Sequence, residues 1–341
     1  MRLTKSTIQW CLRIIVAAAL LYLLFRFIPI SEVMKVMVLA DGWWVAAAFV
    51  ILIFERLTAA WRMKLLTDQL AMPLSVFKLW EISTVSVFYT TFLPGDIAGG
   101  AIRWYRMSKP LGQRAQAFAA LAFERLIDTI ILILFGLVFW IWDDPPFGTW
   151  LLYFVLITFL VALVLVMAVS LSPRTSRVFE TIIGLIPWKG FRQFTSEKIE
   201  KVLVSVRTFR QLSFTKITAL VMLSALRHLL SILIIICFAQ ALAMSIGFPT
   251  IGWIRSLMNI ITMLPIAFAG LGVREASFTI LMEPYGIPGS QAVALGLFMF
   301  IVHIVLAIIG GLLELRGMFM PQQQQDMESV PPATDDSSTT Q

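Results

Sequence analysis

Cysteine and histidine are nearly absent from this chain, and charge is scarce. Among 341 residues there are two cysteines, Cys11 and Cys237, and two histidines, His228 and His303. Two cysteines inside apolar runs provide neither a disulfide framework nor metal-ligand spacing, and both are expected as small buried hydrophobes. The two histidines lie 75 positions apart on separate apolar runs, which argues against a metal centre. No cofactor is expected. Three nucleotide and hydrolase signatures are also missing: no GxxxxGK[ST] phosphate loop, no HExxH and no GxSxG. ATP hydrolysis within this chain is thereby excluded. Charged residues make up only 14%, against about 25% in a soluble domain. The formal charge of +7 has no soluble domain on which to form a basic face, so a nucleic-acid partner is not expected.

What the chain has instead is apolar length. Hydrophobic residues make up 59% and the mean hydropathy is +0.87. Runs over residues 8–29, 43–61, 115–142, 150–170, 217–244 and 290–315 approach or exceed the roughly 20 residues that cross a bilayer core. The first run carries Arg13 and Arg26 and ends without a small-residue cleavage site, so it is expected as a membrane helix rather than a removed signal peptide. Basic residues follow the second run and precede the third (Arg103, Arg106, Lys109, Arg114), while 143–148 reads DDPPFG. By the positive-inside rule both termini face the cytoplasm and DDPPFG lies outside. The expected location is the cytoplasmic (inner) membrane. Residues 1–320 form the membrane domain, with a basic cytoplasmic linker over 171–216 holding nine Lys/Arg against three Glu. Within it, Ile199, Val202, Leu203, Val206 and Phe209 share a helical spacing, which suits either an amphipathic helix on the membrane face or an ordinary packed helix. The tail 321–341 is expected to be disordered.

Two segments interrupt the pattern. Residues 74–103 begin apolar and then break at Pro94-Gly95, and 250–285 break similarly after Pro265. At an offset of 171, TFLPGDIAGGAIR (91–103) and TMLPIAFAGLGVR (262–274) share Thr, Leu, Pro, Ala, Gly and Arg. We read an internal repeat whose breaks carry Pro94, Gly95 and Gly99 in one copy and Pro265, Gly270 and Gly272 in the other. Alternating spans make the two copies enter from opposite faces, the inverted arrangement that marks transporter sites. Broken backbone at membrane depth must line protein or a wet cavity. The fold class is therefore all-α: a polytopic membrane helix bundle with two re-entrant or broken helical hairpins in inverted repeat.

Charges in such a bundle need partners or tasks. In AFERLIDTI, Glu124 and Asp128 are four apart on one helical face. Arg125 either pairs with Asp128 to pin the helix or joins Glu124 in a cavity wall. FERL recurs at 54–57, and Glu55 and Arg56 are expected as anchors near the cytoplasmic end. Arg103 and Arg274 close the two repeat copies, followed by Glu275, and Asp96 lies in the first break. A guanidinium suits a phosphate, so Arg103, Arg274, Glu275, Glu124, Arg125 and Asp96 are headgroup-binding candidates. Arg227 and His228 suit either a pathway or packing against a loop carboxylate.

LPGDIAGGAIRWYR, FERL on the following span, LPIAFAGLGVRE and AWRMKLL (60–66) resemble the transmembrane domain of bacterial lysylphosphatidylglycerol synthases. That family includes flippase-like membrane proteins and archaeal proteins of lipid-linked glycan assembly. The resemblance covers roughly residues 5–318. It implies translocation of a lipid, with Arg103, Glu124, Arg125, Arg274 and Glu275 along the headgroup route. The synthases carry a large soluble aminoacyl-transferase domain where this sequence has a short tail, so lysyl-lipid synthesis is not expected. Where the family's first motif often places an acidic residue, this sequence has Gly100, with a carboxylate at Asp96.

The expected function is non-enzymatic translocation of a membrane phospholipid or a polyprenyl-phosphate-linked substrate. Glu124, Asp128 and Glu275 are the candidates for proton coupling. Three alternatives stay open: an enzyme or subunit acting on lipid-linked glycans, a small-solute or ion transporter, and a structural partner of an envelope-assembly enzyme.

Overall fold

The computed structural model describes residues 30–92, 96–110, 112–143, 145, 150–171, 204–263 and 272–319. The first expected span, the break residues Pro94, Gly95, Pro265 and Gly270, most of the basic linker and the tail lie outside the described residues. Within them the chain is helical, without a strand. In chain order the helices are α1 (Ile30–Val38), α2 (Gly42–Gln69), α3 (Val76–Phe92), α4 (Asp96–Ser108), α5 (Arg114–Asp143), α6 (Trp150–Leu171), α7 (Phe214–Ala241), α8 (Phe248–Met263), α9 (Val273–Met282) and α10 (Gly289–Phe319), with short 3-10 turns at Thr208–Gln211 and Glu283–Tyr285. Four of them, α2, α5, α7 and α10, are long and apolar enough to cross a membrane.

Helix α2 shows how a lipid solvent inverts the usual amphipathic logic. Val50, Ile53, Phe54, Leu57 and Trp61 are exposed at helical spacing, whereas Glu55, Arg62 and Thr67 are buried. Apolar side chains face outward and charges face the protein interior, as hydrocarbon surroundings require. The helix starts where the Asp41 carboxylate accepts the Trp43 N–H at 2.9 Å, an N-cap. It runs on to Gln69, beyond the end expected at 61, which carries Arg62 into the bundle rather than into a cytoplasmic loop.

The helices fall into two series: α2, α3, α4, α5 and α7, α8, α9, α10. Helices α2 and α7 are each 28 residues long. Both end in a Leu-Ala-Met turn whose alanine, Ala71 or Ala243, is left-handed at φ 53° and 51°. In both, the methionine N–H reaches back to a helix carbonyl at 2.9 Å (Met72 to Thr67, Met244 to Ala239), closing a Schellman-type cap. Alanine pays a steric cost in that region, so the same strained turn stands twice. Packing exchanges the series too: α3 lies on α10, and α8 lies on α5.

Helices α2 and α7 pack extensively and run antiparallel. The Asp41 N–H at the start of α2 donates to the Ala241 carbonyl at the end of α7, at 2.9 Å. At the opposite end Lys216 Nζ donates to Gln69 Oε1 at 3.0 Å. Both seams between the series rely on close approach. Gly252 of α8 lies against the ring of Phe139, and Gly310 of α10 lies against the main-chain carbonyl of Thr84.

Helix α1 did not stand out in the sequence, yet Val33 is fully buried in the core. In the described end of the basic linker, Val206, Phe209 and Leu212 are buried. Phe209 stacks on Phe123 with centroids 4.3 Å apart. This end of the linker packs into the bundle, while Ile199, Val202 and Leu203 lie outside the described residues. Gly310→Ala should lower the melting temperature of the extracted protein, since an overpacked contact costs about 1–3 kcal/mol. Gly100, with open space beside it, should accept alanine without loss. Thermal melts in detergent compare the two.

Candidate functional site

The long helices bring their charges to one centre. Arg62 of α2 donates to Glu124 Oε1 at 2.9 Å and to Asp128, both on α5, and to Ser224 of α7 at 3.2 Å. Arg227 of α7 also pairs with Asp128 and donates to Glu55 Oε1 at 3.1 Å. Glu124 takes a second contact, on its other oxygen, from Arg103 of α4 at 3.0 Å. Arg56 lies 3.2 Å from the other oxygen of Glu55. Asp128 is thus clamped between two arginines, and Glu124 between two.

His228 carries this network to α8. One ring nitrogen, Nε2, sits 3.0 Å from the main-chain carbonyl of Asp128, which can only accept. The other, Nδ1, sits 3.2 Å from Arg255 Nη1, which can only donate. Nε2 therefore carries the hydrogen, and the ring is neutral. Arg255 Nε donates to Ser231 Oγ at 2.8 Å. The hydrogen bonds of Arg255 go to neutral groups, while its charge lies within reach of Glu55 and Asp128.

Beyond Arg255 opens a cavity of roughly 140 Å³, with Ser231, Asn259, Arg255 and Arg274 as its polar lining and Phe278 and Met299 among the apolar. At about 30 Å³ per water, it holds a few waters or one tetrahedral oxyanion. Five arginines at this centre (Arg56, Arg62, Arg103, Arg227, Arg255) face three carboxylates (Glu55, Glu124, Asp128). The excess is positive.

Arg274 lines the cavity, and Arg103 instead reaches Glu124. The sequence offset of 171 that matches the two arginines accounts for the difference. The position matching Glu124 in the second series is Leu295, so the matched arginines meet different surroundings. Glu275 is fully buried at the start of α9. Its Oε2 accepts the Gly272 N–H at 2.7 Å, and its Oε1 meets no hydrogen-bond partner among the described residues. Gly272, at φ 80°, supplies the left-handed turn that starts α9. Gly99 is buried in α4 against Thr90 and Ser86 of α3. Asp96 opens α4, its side chain lying outside the described residues.

Three expectations are corrected. Arg125 is exposed and belongs to neither a cavity wall nor an Asp128 pair, because adjacent helical positions point about 100° apart and Glu124 takes the inward direction. Glu55 lies midway along α2, not near its end, and is buried. Arg227 and His228 meet Asp128 at membrane depth rather than a loop carboxylate. Arg62, Ser231, Arg255 and Asn259 were missed. Arg62 stands in the basic flank that follows the second apolar run. Arg255, alone in IGWIRSLMNI, was the available signal for α8.

A charged centre inside an apolar exterior defines a polytopic membrane protein with a polar site at membrane depth. The family described as lysylphosphatidylglycerol synthase TM region matches residues 10–311, and the chain belongs to that family. A UPF0104 membrane protein of Methanocaldococcus jannaschii is 21% identical over 324 residues, covering 91% of this chain and 94% of the relative.

Replacing Arg62 by Gln should leave Glu124 and Asp128 under-compensated. Breaking a buried pair costs about 3–5 kcal/mol, so loss of a monodisperse peak and a lower melting temperature are expected. Arg125→Gln should behave as the parent does in the same measurement.

Proposed function

We propose that this chain translocates a lipid with an anionic, phosphate-bearing headgroup across the cytoplasmic membrane, and that it does so without enzymatic chemistry. The observation that carries the reading is the cavity lined by Arg255 and Arg274 beside a centre where arginines outnumber carboxylates. A buried positive excess requires a counter-charge. Arginine forks match phosphate oxygens, and Phe278 and Met299 offer an apolar wall to the start of a lipid chain. Membrane phospholipids and polyprenyl phosphates share this headgroup chemistry.

The two series support an inverted repeat, since α2 and α7 open them and run antiparallel. In that reading the breaks after α3 and α8 enter from opposite leaflets and the cavity lies between them. With basic flanks inside, the end of the bundle at Asp143 is the outer one and both termini are cytoplasmic.

Coupling falls to Glu275. Glu124 and Asp128 are each held by two arginines and are needed as fixed charge. Glu275 is buried, has one oxygen without a hydrogen bond among the described residues, and packs against Gly296 of α10, where any side chain would collide with it.

Reconstituted protein should speed exchange of fluorescent phosphatidylglycerol between the leaflets of vesicles. Arg255→Ala and Arg274→Ala should each slow it tenfold or more, given that about 1.4 kcal/mol corresponds to a factor of ten and charge-assisted bonds contribute about 1.5–3 kcal/mol. Arg125→Ala should not. No acceleration with phosphatidylglycerol or a polyprenyl phosphate, or equal rates in all variants, would defeat the reading.

A further inference from the structure

Away from the arginine centre, two carboxylates hold the broken segments in place. Asp143, the last residue of α5, accepts three hydrogen bonds: from the Thr250 hydroxyl at 2.6 Å, the Trp253 indole N–H at 2.8 Å and the Tyr285 hydroxyl at 2.5 Å. Thr250 and Trp253 lie on α8, and Tyr285 lies in the turn that closes α9. One side chain therefore ties both arms of the second broken segment to the long helix of the first series. Glu314, near the end of α10, accepts from the Tyr89 hydroxyl at 3.0 Å and pairs with Arg106. Tyr89 lies on α3 and Arg106 in the last turn of α4. Here one side chain ties both arms of the first broken segment to the long helix of the second series. The offset of 171 that aligns the breaks carries Asp143 onto Glu314. The donors differ, but the helices they join are the exchanged set.

The two clusters sit at opposite ends of the bundle. Asp143 meets the first turns of α8, which follows directly on the end of α7, beside the start of α2. Helix α10 runs antiparallel to α3, with His303 beside Thr91 and Gly310 beside Thr84. Glu314 therefore lies toward the start of α3, where α2 ends. Between the clusters lies the cavity, with Arg255 on α8 and Arg274 on α9.

We propose that Asp143 and Glu314 are paired gate latches, released alternately, each governing access to the central cavity from its own face. Letting go of Asp143 frees α8 and α9 from α5 and exposes the two cavity arginines at one end. Letting go of Glu314 frees α3 and α4 from α10 and opens the other end. This rests on the translocation reading for its cargo, but the latching is a property of the helices and is measurable without any lipid.

The test is sided labelling. A reporter cysteine at Met258, which lines the cavity, is placed in a Cys11→Ser, Cys237→Ser background. It is then exposed to a membrane-impermeant maleimide on intact expressing cells and on inverted membrane vesicles. Asp143→Asn should raise labelling severalfold from one face and lower it from the other, and Glu314→Gln should do the reverse. Tyr285→Phe and Tyr89→Phe, which each remove a single donor, should shift labelling in the same two senses by less. They carry the test if a carboxylate variant fails to fold. Unchanged labelling in all variants that fold, or an equal rise from both faces, would overturn the proposal. Opposed shifts in a protein that moves neither phosphatidylglycerol nor a polyprenyl phosphate would keep the latches and remove the lipid reading. Lipid movement without opposed shifts would do the converse.

Discussion

Charge cannot be left alone in hydrocarbon, and this bundle is organised around that constraint. Asp128 stands between Arg62 and Arg227, and those two arginines come from α2 and α7, the antiparallel helices at the centre. Desolvating either sign costs several kcal/mol per ion, recovered only where geometry and further hydrogen bonds are good. Ser224, His228 and Glu124 provide those bonds. The position of α5 is set by this requirement as much as by apolar packing. The arginine-lined cavity lies where this network reaches its end at His228 and Arg255.

Two structural series with different chemistry explain why the site is on one side. Arg103 and Arg274 occupy matched positions, yet one closes on Glu124 and the other opens onto the cavity beside Met299. The first series spends its arginine on holding helices together. In the second, the counterpart of Glu124 is Leu295, and its arginine lines the cavity. Matched positions with different surroundings thus give one arginine held by a carboxylate and one that lines a cavity.

Much of the architecture was legible in the chain. The apolar runs marked α2, α5, α6, α7 and α10, and the Leu-Pro breaks marked the joints between α3 and α4 and between α8 and α9. Glu124 and Asp128 at helical spacing announced an inward face. What was hidden was depth. Arg62 read as the start of a basic loop, since hydropathy falls there, but the helix continues and three polar partners from two other helices neutralise the penalty. Glu55 was hidden for the same reason. The Asp143 and Glu314 clusters were illegible because each joins residues more than a hundred positions apart in sequence. A lone carboxylate at the end of a span looks like any interfacial charge. The repeated Leu-Ala-Met turn was in plain view, but only the left-handed backbone at Ala71 and Ala243 gives it meaning.

Glu55 and Arg227 sit at equivalent places along two 28-residue helices and bind each other at 3.1 Å. A contact of that kind is polar in direction. Placing the same residue at both positions would set glutamate against glutamate, or arginine against arginine, in the interior of the bundle. The seam between α2 and α7 therefore fits unlike partners: exchanging the two residues would keep the charge match, whereas copying either one across would destroy it.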